Sequence, residues 1–338
     1  MMAAIVVRDL VKDYVVDKKK NGMKGALAGL FVHKKETIRA VDGISFSIQK
    51  GEVVGFIGPN GSGKSTTIKM MSGILRPSAG DISVHGMDPQ KNRRQVVQDL
   101  GVVFGQRSQL FWDLRLGESF ELMKRIYRIQ DSVYRENLDL LDELLKIGEI
   151  IDKPVRQMSL GQRMRGDLAA AVLHSPSILY LDEPTIGLDI DAKQAVRQFI
   201  RDINQARKTT VILTTHDLDD IQELCSRVMV INRGRIVEDG SLDGLVGKIS
   251  PTRRLVVDLY EENRDISHPM AKVIQNKGAR VWFEFNKQEM SAAQLISDLS
   301  KQVDIRDLSL EEPDIEDIIR TIYHNESDSD RAVSNPNG

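Results

Sequence analysis

The chain has 338 residues, 41% of them hydrophobic, with 47 basic and 49 acidic side chains. This length and composition predict a soluble protein with one domain of ordinary size and a smaller second domain. The formal net charge of -2 excludes a bulk electrostatic attraction to nucleic acid, so we expect no nucleic-acid partner.

The cysteine content and the hydropathy pattern indicate the compartment. Cys225 is the single cysteine, which excludes an intrachain disulfide and fits a reducing environment. No apolar run approaches the length of about 20 residues that crosses a bilayer, and Arg8, Lys12 and Asp13 interrupt any signal-peptide core. If the chain works at a membrane, we therefore expect the membrane-spanning part to lie in other chains.

A phosphate-binding motif follows the apolar run from Val53 to Ile57, which is predicted to be a strand. Residues 58–65 have the spacing G-x-x-x-x-G-K-[ST], and a helix is predicted to begin near Lys64. Glycines at 58, 61 and 63 let the backbone curl so that N–H groups converge on an anion. Lys64 is expected to reach the β- and γ-phosphates of a nucleoside triphosphate, and the Ser65 hydroxyl to enter the shell of Mg²⁺. The predicted binding residues are Gly58, Pro59, Asn60, Gly61, Ser62, Gly63, Lys64, Ser65 and Thr66.

A second apolar run, Ile178 to Leu181, ends in two carboxylates. This pattern is typical of a buried parallel strand, and ligand sites in open α/β sheets lie at the carboxyl ends of such strands. Asp182 is expected to hold Mg²⁺, and Glu183 to orient and deprotonate the attacking water. The alternative is a solvated pair of acids at a strand end.

A third run, Thr209 to Leu213, leads into His216 and predicts another strand. A helical stretch from Asp189 to Ala206 precedes it, so the spacing suits a strand, helix, strand unit. His216 is therefore a candidate catalytic residue that donates a hydrogen bond to the γ-phosphate. Taken alone, His216 also fits an ordinary loop or capping residue.

A further segment, Met158 to Gln162, resembles the signature loop of the ATP-binding subunits of ABC transporters. The resemblance runs from about Ile5 to Asp239 and is nearest to the drug, lipid and polysaccharide exporter type. It implies an α/β fold: a P-loop NTPase core of the ABC ATPase type with a helical subdomain. It also implies that two subunits pack head to tail, so that the signature of one closes on the ATP held by the other.

The resemblance assigns further residues to the ATP site. Tyr14 corresponds to the aromatic that stacks on adenine, and Gln106 to the glutamine that links ATP and its metal ion to the transporter contact. Asp189 corresponds to the carboxylate that crosses the dimer interface. The signature contributes Ser159, Gly161 and Gln162, and we expect Ser159 to cap the helix from Gln162 to His174.

Two features depart from the family pattern. Leu160 stands where the family usually has glycine, and a leucine would be strained if that position needed a positive φ. An insertion of about residues 15–35 carries six lysines around apolar residues at helical spacing. This basic insertion is expected to contact the membrane surface or the permease, with a solvated loop as the alternative.

The predicted domains are an ABC ATP-binding domain at residues 1–245 and an accessory α+β domain at 246–324. The helical subdomain is expected at about 107–172, with helices at 118–128 and 132–148. In the accessory domain, strands are expected at 253–260, 280–285 and 303–310, and helices at 291–302 and 313–323. Residues 325–338 are rich in Ser, Asn and Asp and are expected to be disordered.

Together these features predict a Mg²⁺-dependent ATPase subunit, a homodimer at the cytoplasmic face of the membrane, that powers a separate permease for export. Three alternatives remain open at this point. They are a soluble ABC ATPase acting on ribosomes or DNA, an ATP-holding regulator without turnover, and the ATPase of an importer.

Overall fold

The computed structural model describes residues 3–17, 35–105, 107–215, 217–249, 252–262 and 265–311. The chain divides into two compact units, Met1–Gly240 and Ser241–Gly338. Several predicted features lie outside the described residues: Gln106, His216, most of the insertion, the helix at 313–323 and the tail at 325–338.

The first unit mixes strands and helices throughout its length. Its elements are β1 (Ala3–Asp17), β2 (Lys35–Gln49), β3 (Val53–Ile57), α1 (Lys64–Met71), β4 (Ala79–Val84), α2 (Arg93–Gln98), β5 (Leu100–Phe104), α3 (Leu116–Tyr127), α4 (Asp131–Leu145), α5 (Leu160–Val172), β6 (Ile178–Asp182), α6 (Ile190–Arg207), β7 (Thr210–Thr214), α7 (Leu218–Leu224), β8 (Arg227–Asn232) and β9 (Arg235–Gly240).

A six-stranded sheet forms the centre of this unit, with the strand order β5-β6-β7-β3-β8-β9. Strands β5, β6, β7, β3 and β8 pair in parallel, and β9 pairs antiparallel with β8. Every residue of β3 and β7 is buried, because helices and a second sheet cover both faces. The α/β class and the strands predicted from the three apolar runs are confirmed.

The residues of β6 show how the sheet separates two cores. Leu179 and Leu181 pack with α3 to α6 on one face. Ile178 and Tyr180 pack with α1 and the strands of the second sheet on the other face. The alternation follows from strand geometry, in which successive side chains point to opposite faces. One continuous apolar run therefore serves two cores.

The second sheet is antiparallel, with the order β2-β1-β4. The pairing of β1 with β2 includes both ends of the predicted insertion, because Val15 lies opposite Thr37 and Asp17 opposite Lys35. The insertion thus begins and ends inside a long hairpin, and residues 18–34 lie outside the described part of the chain.

The helical subdomain contains both predicted helices, each with shifted bounds. Helices α3, α4 and α5 share one apolar core through residues such as Phe120, Leu141 and Leu168. Helix α3 ends where Arg128 takes a φ of 56°, and α4 ends where Lys146 takes a φ of 49°. A left-handed residue stops the helical hydrogen-bond pattern, so α4 ends before the predicted Gly148.

The second unit has the predicted α+β composition, with one helix and one strand that were missed. Its elements are α8 (Leu242–Ile249), β10 (Thr252–Leu259), β11 (Ala271–Lys277), β12 (Arg280–Asn286), α9 (Ala292–Leu299) and β13 (Ile305–Glu311). The strands form an antiparallel sheet in the order β11-β12-β10-β13. Phe283 and Phe285 of β12 pack with Leu295 and Leu299 of α9 in a separate core. Among the described helices of the chain, none combines the length and hydrophobicity that a bilayer-spanning segment needs.

Candidate nucleotide-binding site

The phosphate loop joins the end of β3 to the start of α1. Gly61 and Gly63 have φ values of 82° and 111°, a region that glycine enters without a steric penalty. Gly58 contributes in another way, because a Cβ at this position would lie 2.2 Å from the carbonyl oxygen of Ile231. The loop therefore needs glycine both for its curl and for its close approach to β8.

Lys64 is buried and folds back over its own loop. Its Nζ donates hydrogen bonds to the carbonyl oxygens of Gly58 at 2.6 Å and Pro59 at 3.2 Å. Burial lowers the pKa of Lys64, and the negative charges of Glu183 and Asp182 oppose that shift. An anion placed in the loop would favour the charged form of this lysine.

Asp182, the last residue of β6, accepts hydrogen bonds from two hydroxyl groups. Ser65 Oγ donates to Asp182 Oδ1 at 2.9 Å, and Thr214 Oγ1 donates to the same oxygen at 2.5 Å. Both residues were predicted from the sequence to bind the same metal ion. Although 117 residues separate them, the Ser65 hydroxyl and the Asp182 carboxylate are in direct contact. Oxygen atoms of this kind are the ligands that Mg²⁺ prefers.

Glu183 follows β6 with an unusual backbone conformation. Its φ is 56°, in the left-handed region that residues other than glycine enter at an energetic cost. Its N–H donates to the carbonyl oxygen of Thr214 at 2.9 Å. On the other side, the N–H of Gly105 donates to the carbonyl oxygen of Asp182 at 2.7 Å. The ends of β5 and β7 thus hold the peptide that carries Glu183.

The signature segment forms the start of α5. Ser159 caps this helix as predicted, since its Oγ accepts from the N–H of Gln162 at 3.2 Å, although the helix begins at Leu160. Gln162 Oε1 accepts from the Ser159 N–H and from Lys153 Nζ, in a capping box. Leu160 is absent from the described residues with positive φ, so the leucine causes no backbone strain.

The signature segment packs against the first residues of α6 and the loop that precedes them. A Cβ on Gly161 would lie 3.2 Å from Ala192 Cβ, and a Cβ on Gly187 would lie 3.3 Å from Leu160 Cδ2. Asp189 is exposed and caps α6, because its Oδ1 accepts from the N–H of Ala192 at 2.8 Å. Ser159, Leu160 and Asp189 are therefore all at one surface of the unit.

Tyr14 lies on the antiparallel sheet rather than on the central one. It pairs with Ile38 in the hairpin, and its side chain is 38% exposed. Lys12 Nζ is 5.3 Å from the centre of its ring. Tyr14 is thus partly exposed, with a lysine ammonium over one face of its ring, and stacking on a base would use the other face.

The described residues next to Gln106 are tied to the signature helix by a buried acid. Asp167 of α5 accepts hydrogen bonds from Ser108 Oγ at 3.0 Å and from the N–H of Gln109 at 2.9 Å. Gln109 Nε2 also donates to the carbonyl oxygen of Asp167 at 2.8 Å. Burial raises the pKa of Asp167 to about 6.

The loop and its neighbours fit a magnesium-bound triphosphate. Ser62 Oγ is buried and makes no hydrogen bond within the described part of the chain, so it has capacity for a phosphate oxygen. The start of α1 adds N–H groups that lack carbonyl partners, together with the positive end of the helix dipole. The donors suit phosphate, and the Ser65 and Asp182 oxygens suit Mg²⁺.

Comparisons with known proteins identify the family. Residues 41–186 match the ABC transporter family. The chain is 34% identical over 215 residues to the ABC transporter ATP-binding protein NatA of Bacillus subtilis, which covers 64% of this chain and 87% of NatA. The chain belongs to the ABC transporter ATP-binding proteins. It is also 38% identical over 201 residues to the Nod factor export ATP-binding protein I of Burkholderia pseudomallei, covering 60% and 66%. With the daunorubicin resistance ATP-binding protein DrrA3 of Streptomyces coeruleorubidus, it shares 36% identity over 219 residues, covering 65% and 69%.

Solved structures of ABC ATP-binding proteins have the same fold. An ATP-binding subunit of an ABC transporter matches with a TM-score of 0.61 and 23% identity, covering 72% of this chain and 92% of that chain. A subunit of the ABC transporter complex cbiONQ from Clostridium perfringens matches with a TM-score of 0.58 and 25% identity, covering 73% and 94%.

Membership in this family establishes the general activity. This ABC ATP-binding protein is an ATPase that uses ATP and Mg²⁺ and serves transmembrane transport. The Clostridium perfringens subunit is part of a transporter complex. A further structural neighbour, the ATP-binding cassette MJ0796, matches with a TM-score of 0.58 and 23% identity and is a dimer bound to ADP and Pi. The prediction of an ATPase rather than a regulator without turnover is confirmed.

Several residues of the site were missed in the sequence. Thr214 was not among the predicted site residues, although it is the last residue of a strand, where polar side chains reach the ligand edge. Asp167 is an acid among alanines on the buried face of α5, and a charged residue in an apolar helical pattern could have drawn attention to it.

Replacement of Asp167 by Asn is expected to change the pH dependence of stability. Because the folded protein raises the pKa of this acid from 3.8 to about 6, its stabilising contribution is complete below pH 3.8 and is lost as the pH rises through 6. Between pH 5 and 7.5, wild type should lose about 1 kcal/mol more unfolding free energy than Asp167→Asn.

Urea unfolding followed by Trp112 fluorescence, in a Trp282→Phe background that removes the other tryptophan, measures this difference in the first unit. Asp152→Asn, a change at an exposed acid, is the matched control and should follow wild type. Parallel pH profiles for wild type and Asp167→Asn would contradict the expectation.

Proposed function

We propose that this chain drives a separate membrane permease for export, and that two copies close head to tail around ATP at the cytoplasmic face of the membrane. The observation that carries the proposal is the meeting of the Ser65 and Thr214 hydroxyls on Asp182, between the phosphate loop and Glu183. The export type is supported by the Nod factor export and daunorubicin resistance relatives.

The phosphate loop binds the triphosphate of ATP, and Tyr14 stacks on its adenine. Lys64 exchanges its carbonyl partners, Gly58 and Pro59, for β- and γ-phosphate oxygens, because an ion pair suits a buried ammonium better than neutral acceptors do. The remaining loop residues, Pro59 to Ser62 and Thr66, line the same concavity. Mg²⁺, when bound, neutralises charge on the phosphate oxygens, and Ser65, Asp182 and Gln106 are the residues that would hold it.

Glu183 and His216 act on the γ-phosphate. Glu183 accepts a proton from the attacking water, since it directly follows the metal-binding Asp182 on the same strand end. His216, which follows β7, donates a hydrogen bond to a γ-phosphate oxygen. Glu183 thus acts at the carboxyl edge of the central sheet, where β7, the strand before His216 in the sequence, also ends.

The second copy supplies the rest of the site. Within one chain, the Ser159 and Gln162 side chains each accept from the other residue's backbone N–H, and Lys153 Nζ also donates to Gln162 Oε1. The start of α5 lies beside α6. The free N–H groups and the dipole at the start of α5 therefore remain available to the γ-phosphate of a partner, with Gly161 allowing close approach. Asp189, exposed at the start of α6, crosses the same interface.

Replacement of Glu183 by Gln is expected to trap ATP in a closed dimer. The amide keeps the shape of the side chain but cannot accept the proton of water, so turnover should fall by at least about 100-fold. Gel filtration with Mg²⁺ and ATP should then give a dimer that retains nucleotide. Normal steady-state hydrolysis by this variant would refute the role of Glu183.

The same trap tests the head-to-tail arrangement when two defects are mixed in the Glu183→Gln background. Lys64→Ala removes a loop residue, whereas Ser159→Asp keeps a good N-cap but adds a charge that repels the γ-phosphate. Neither variant alone should retain ATP, but the mixture should, because the heterodimer contains one intact site. Ser159→Asn is the neutral control. If the mixture traps no more ATP than the separate variants, the two halves of the site do not come from different chains.

The transport direction can be tested in membrane vesicles from cells that make the whole complex. Export predicts that inside-out vesicles supplied with ATP and a cell extract accumulate compounds detectable by mass spectrometry, and that Glu183→Gln vesicles do not. Accumulation in right-side-out vesicles alone would indicate an importer. Recovery of the chain with ribosomes or DNA, and not with membranes, would favour the remaining alternative.

We include in the proposal a contact between the basic insertion and the membrane surface. Replacement by Gln of Lys18, Lys19, Lys20, Lys24, Lys34 and Lys35 should reduce binding of the full chain to vesicles that contain anionic lipid. Flotation measures the bound fraction, and neutral vesicles are the control. Equal binding of the variant and wild type to anionic vesicles would exclude this contact.

A further inference from the structure

A buried carboxylate that the nucleotide chemistry does not use lies behind the candidate site. Asp220 of α7 is 0% exposed. It accepts hydrogen bonds from Arg197 Nε at 2.6 Å, from Thr185 Oγ1 at 2.5 Å and from Thr215 Oγ1 at 3.0 Å. One carboxylate therefore joins α6, α7 and two strand-end segments of the central sheet.

The two threonines are next to the proposed catalytic residues in the chain. Thr185 is two residues after Glu183, and Thr215 immediately precedes residue 216. Thr215 Oγ1 also accepts from the N–H of Asp217 at 2.9 Å, so the residues on both sides of position 216 meet at one hydroxyl. The network thus reaches both segments that act on the γ-phosphate.

Arg197 compensates the charge of this acid. It is 8% exposed and also pairs with Glu223 at 2.8 Å and with Asp217 at 3.4 Å. A buried ion pair is often no more stable than apolar residues of similar volume, because desolvation offsets the attraction. Stability alone is therefore a weak reason for placing charge here, whereas fixed hydrogen-bond directions are a strong one.

The backbone of Glu183 needs such support. A left-handed residue other than glycine persists only where its surroundings hold it. The segment that follows Glu183 forms a turn in which the N–H of Ile186 donates to the Glu183 carbonyl at 3.3 Å and that of Leu188 to the Thr185 carbonyl at 3.2 Å. The side chain of Thr185, in the middle of this turn, is anchored to Asp220.

We propose that Asp220 is a positioning residue for ATP hydrolysis, which fixes through Thr185 the turn that follows Glu183 and through Thr215 the end of the segment that follows β7. This inference rests on the proposed role of Glu183. It assigns to Arg197 the task of balancing the charge of Asp220 and fixing the orientation of its carboxylate. A shift of about 1 Å in a catalytic group is enough to reduce a rate by about 100-fold, so these contacts bear directly on turnover.

The test removes one hydroxyl at a time from the full chain. Thr185→Val deletes the anchor of the Glu183 turn and leaves Asp220 with its other two partners. Thr210→Val is the matched control, because Thr210 is a buried threonine of β7 whose Oγ1 accepts from the N–H of Gly51 at the opposite end of the strand. Thr185→Ser restores the hydroxyl without the methyl group.

We expect Thr185→Val to lower kcat by at least about 10-fold while KM and equilibrium binding of ATP stay within about twofold, as for a misplaced catalytic group. Thr185→Ser should recover most of the rate, and the Tm of Thr185→Val should match that of Thr210→Val. Thr215→Val should give the same pattern as Thr185→Val.

A kcat for Thr185→Val within about twofold of the Thr210→Val value would overturn the proposal, as would an equal loss in both variants. Failure of Thr185→Ser to recover the rate would do the same. Glu183→Gln measured alongside separates the two hypotheses. If that variant is inactive and Thr185→Val is normal, only the positioning role fails, whereas normal turnover by Glu183→Gln removes the proposed function itself.

Discussion

Parallel pairing of three neighbouring strands is the constraint on which the nucleotide site depends. Thr214, at the end of β7, is the register partner of Asp182 on β6 and of Phe56 on β3. The phosphate loop starts two residues after Phe56. Because all three strands run in the same direction, the loop, the Thr214 hydroxyl and the carboxylate must meet at one edge.

At that edge, the polar groups of the protein bind one another. Asp182 has its Oδ1 occupied by Ser65 and Thr214, and Lys64 has two carbonyl partners. The buried Lys64 and the half-buried acids Asp182 and Glu183 lie close enough to influence one another, since the acids oppose the lowering of the Lys64 pKa by burial. Under the proposed function, a triphosphate would exchange these internal partners for its own oxygens, in a site whose polar groups already converge.

Two buried acids hold the segments around this edge by the same means. Asp167 in α5 accepts hydrogen bonds from Ser108 and Gln109, which follow Gln106 in the chain. Asp220 in α7 accepts hydrogen bonds from the hydroxyls of Thr185 and Thr215. In both cases a helix reaches into a loop with a carboxylate whose lone pairs are used by hydroxyl or N–H groups. Such contacts are directional, so they set the position of a loop in a way that apolar packing alone does not. Asp167 thus links the signature helix to the segment that follows β5, so both sides of the proposed dimer site share this design.

The buried strands and the phosphate loop could be predicted from the sequence alone. Three apolar runs bounded by glycines, acids or threonines predicted three buried strands, and the spacing of residues 58–65 predicted a phosphate loop, because strand burial and loop curvature depend on neighbours in the chain. The cap at Ser159 was predicted for the same reason. The bounds of α4 and the strand partners at the two ends of the insertion were not predicted, since they depend on a left-handed residue and on tertiary pairing. The strand β11 was also missed, although it forms a hairpin with the neighbouring β12.

Contacts between distant residues required the folded chain. Ser65 and Asp182 are separated by 117 residues and Thr185 and Asp220 by 35, and no periodicity relates such pairs. The left-handed conformation of Glu183 is also invisible in the residue order, because it arises from hydrogen bonds with two neighbouring strands. Residue types and spacing therefore specified the kind of chemistry, while long-range packing specified which groups touch, because burial makes the choice of partner depend on three-dimensional position.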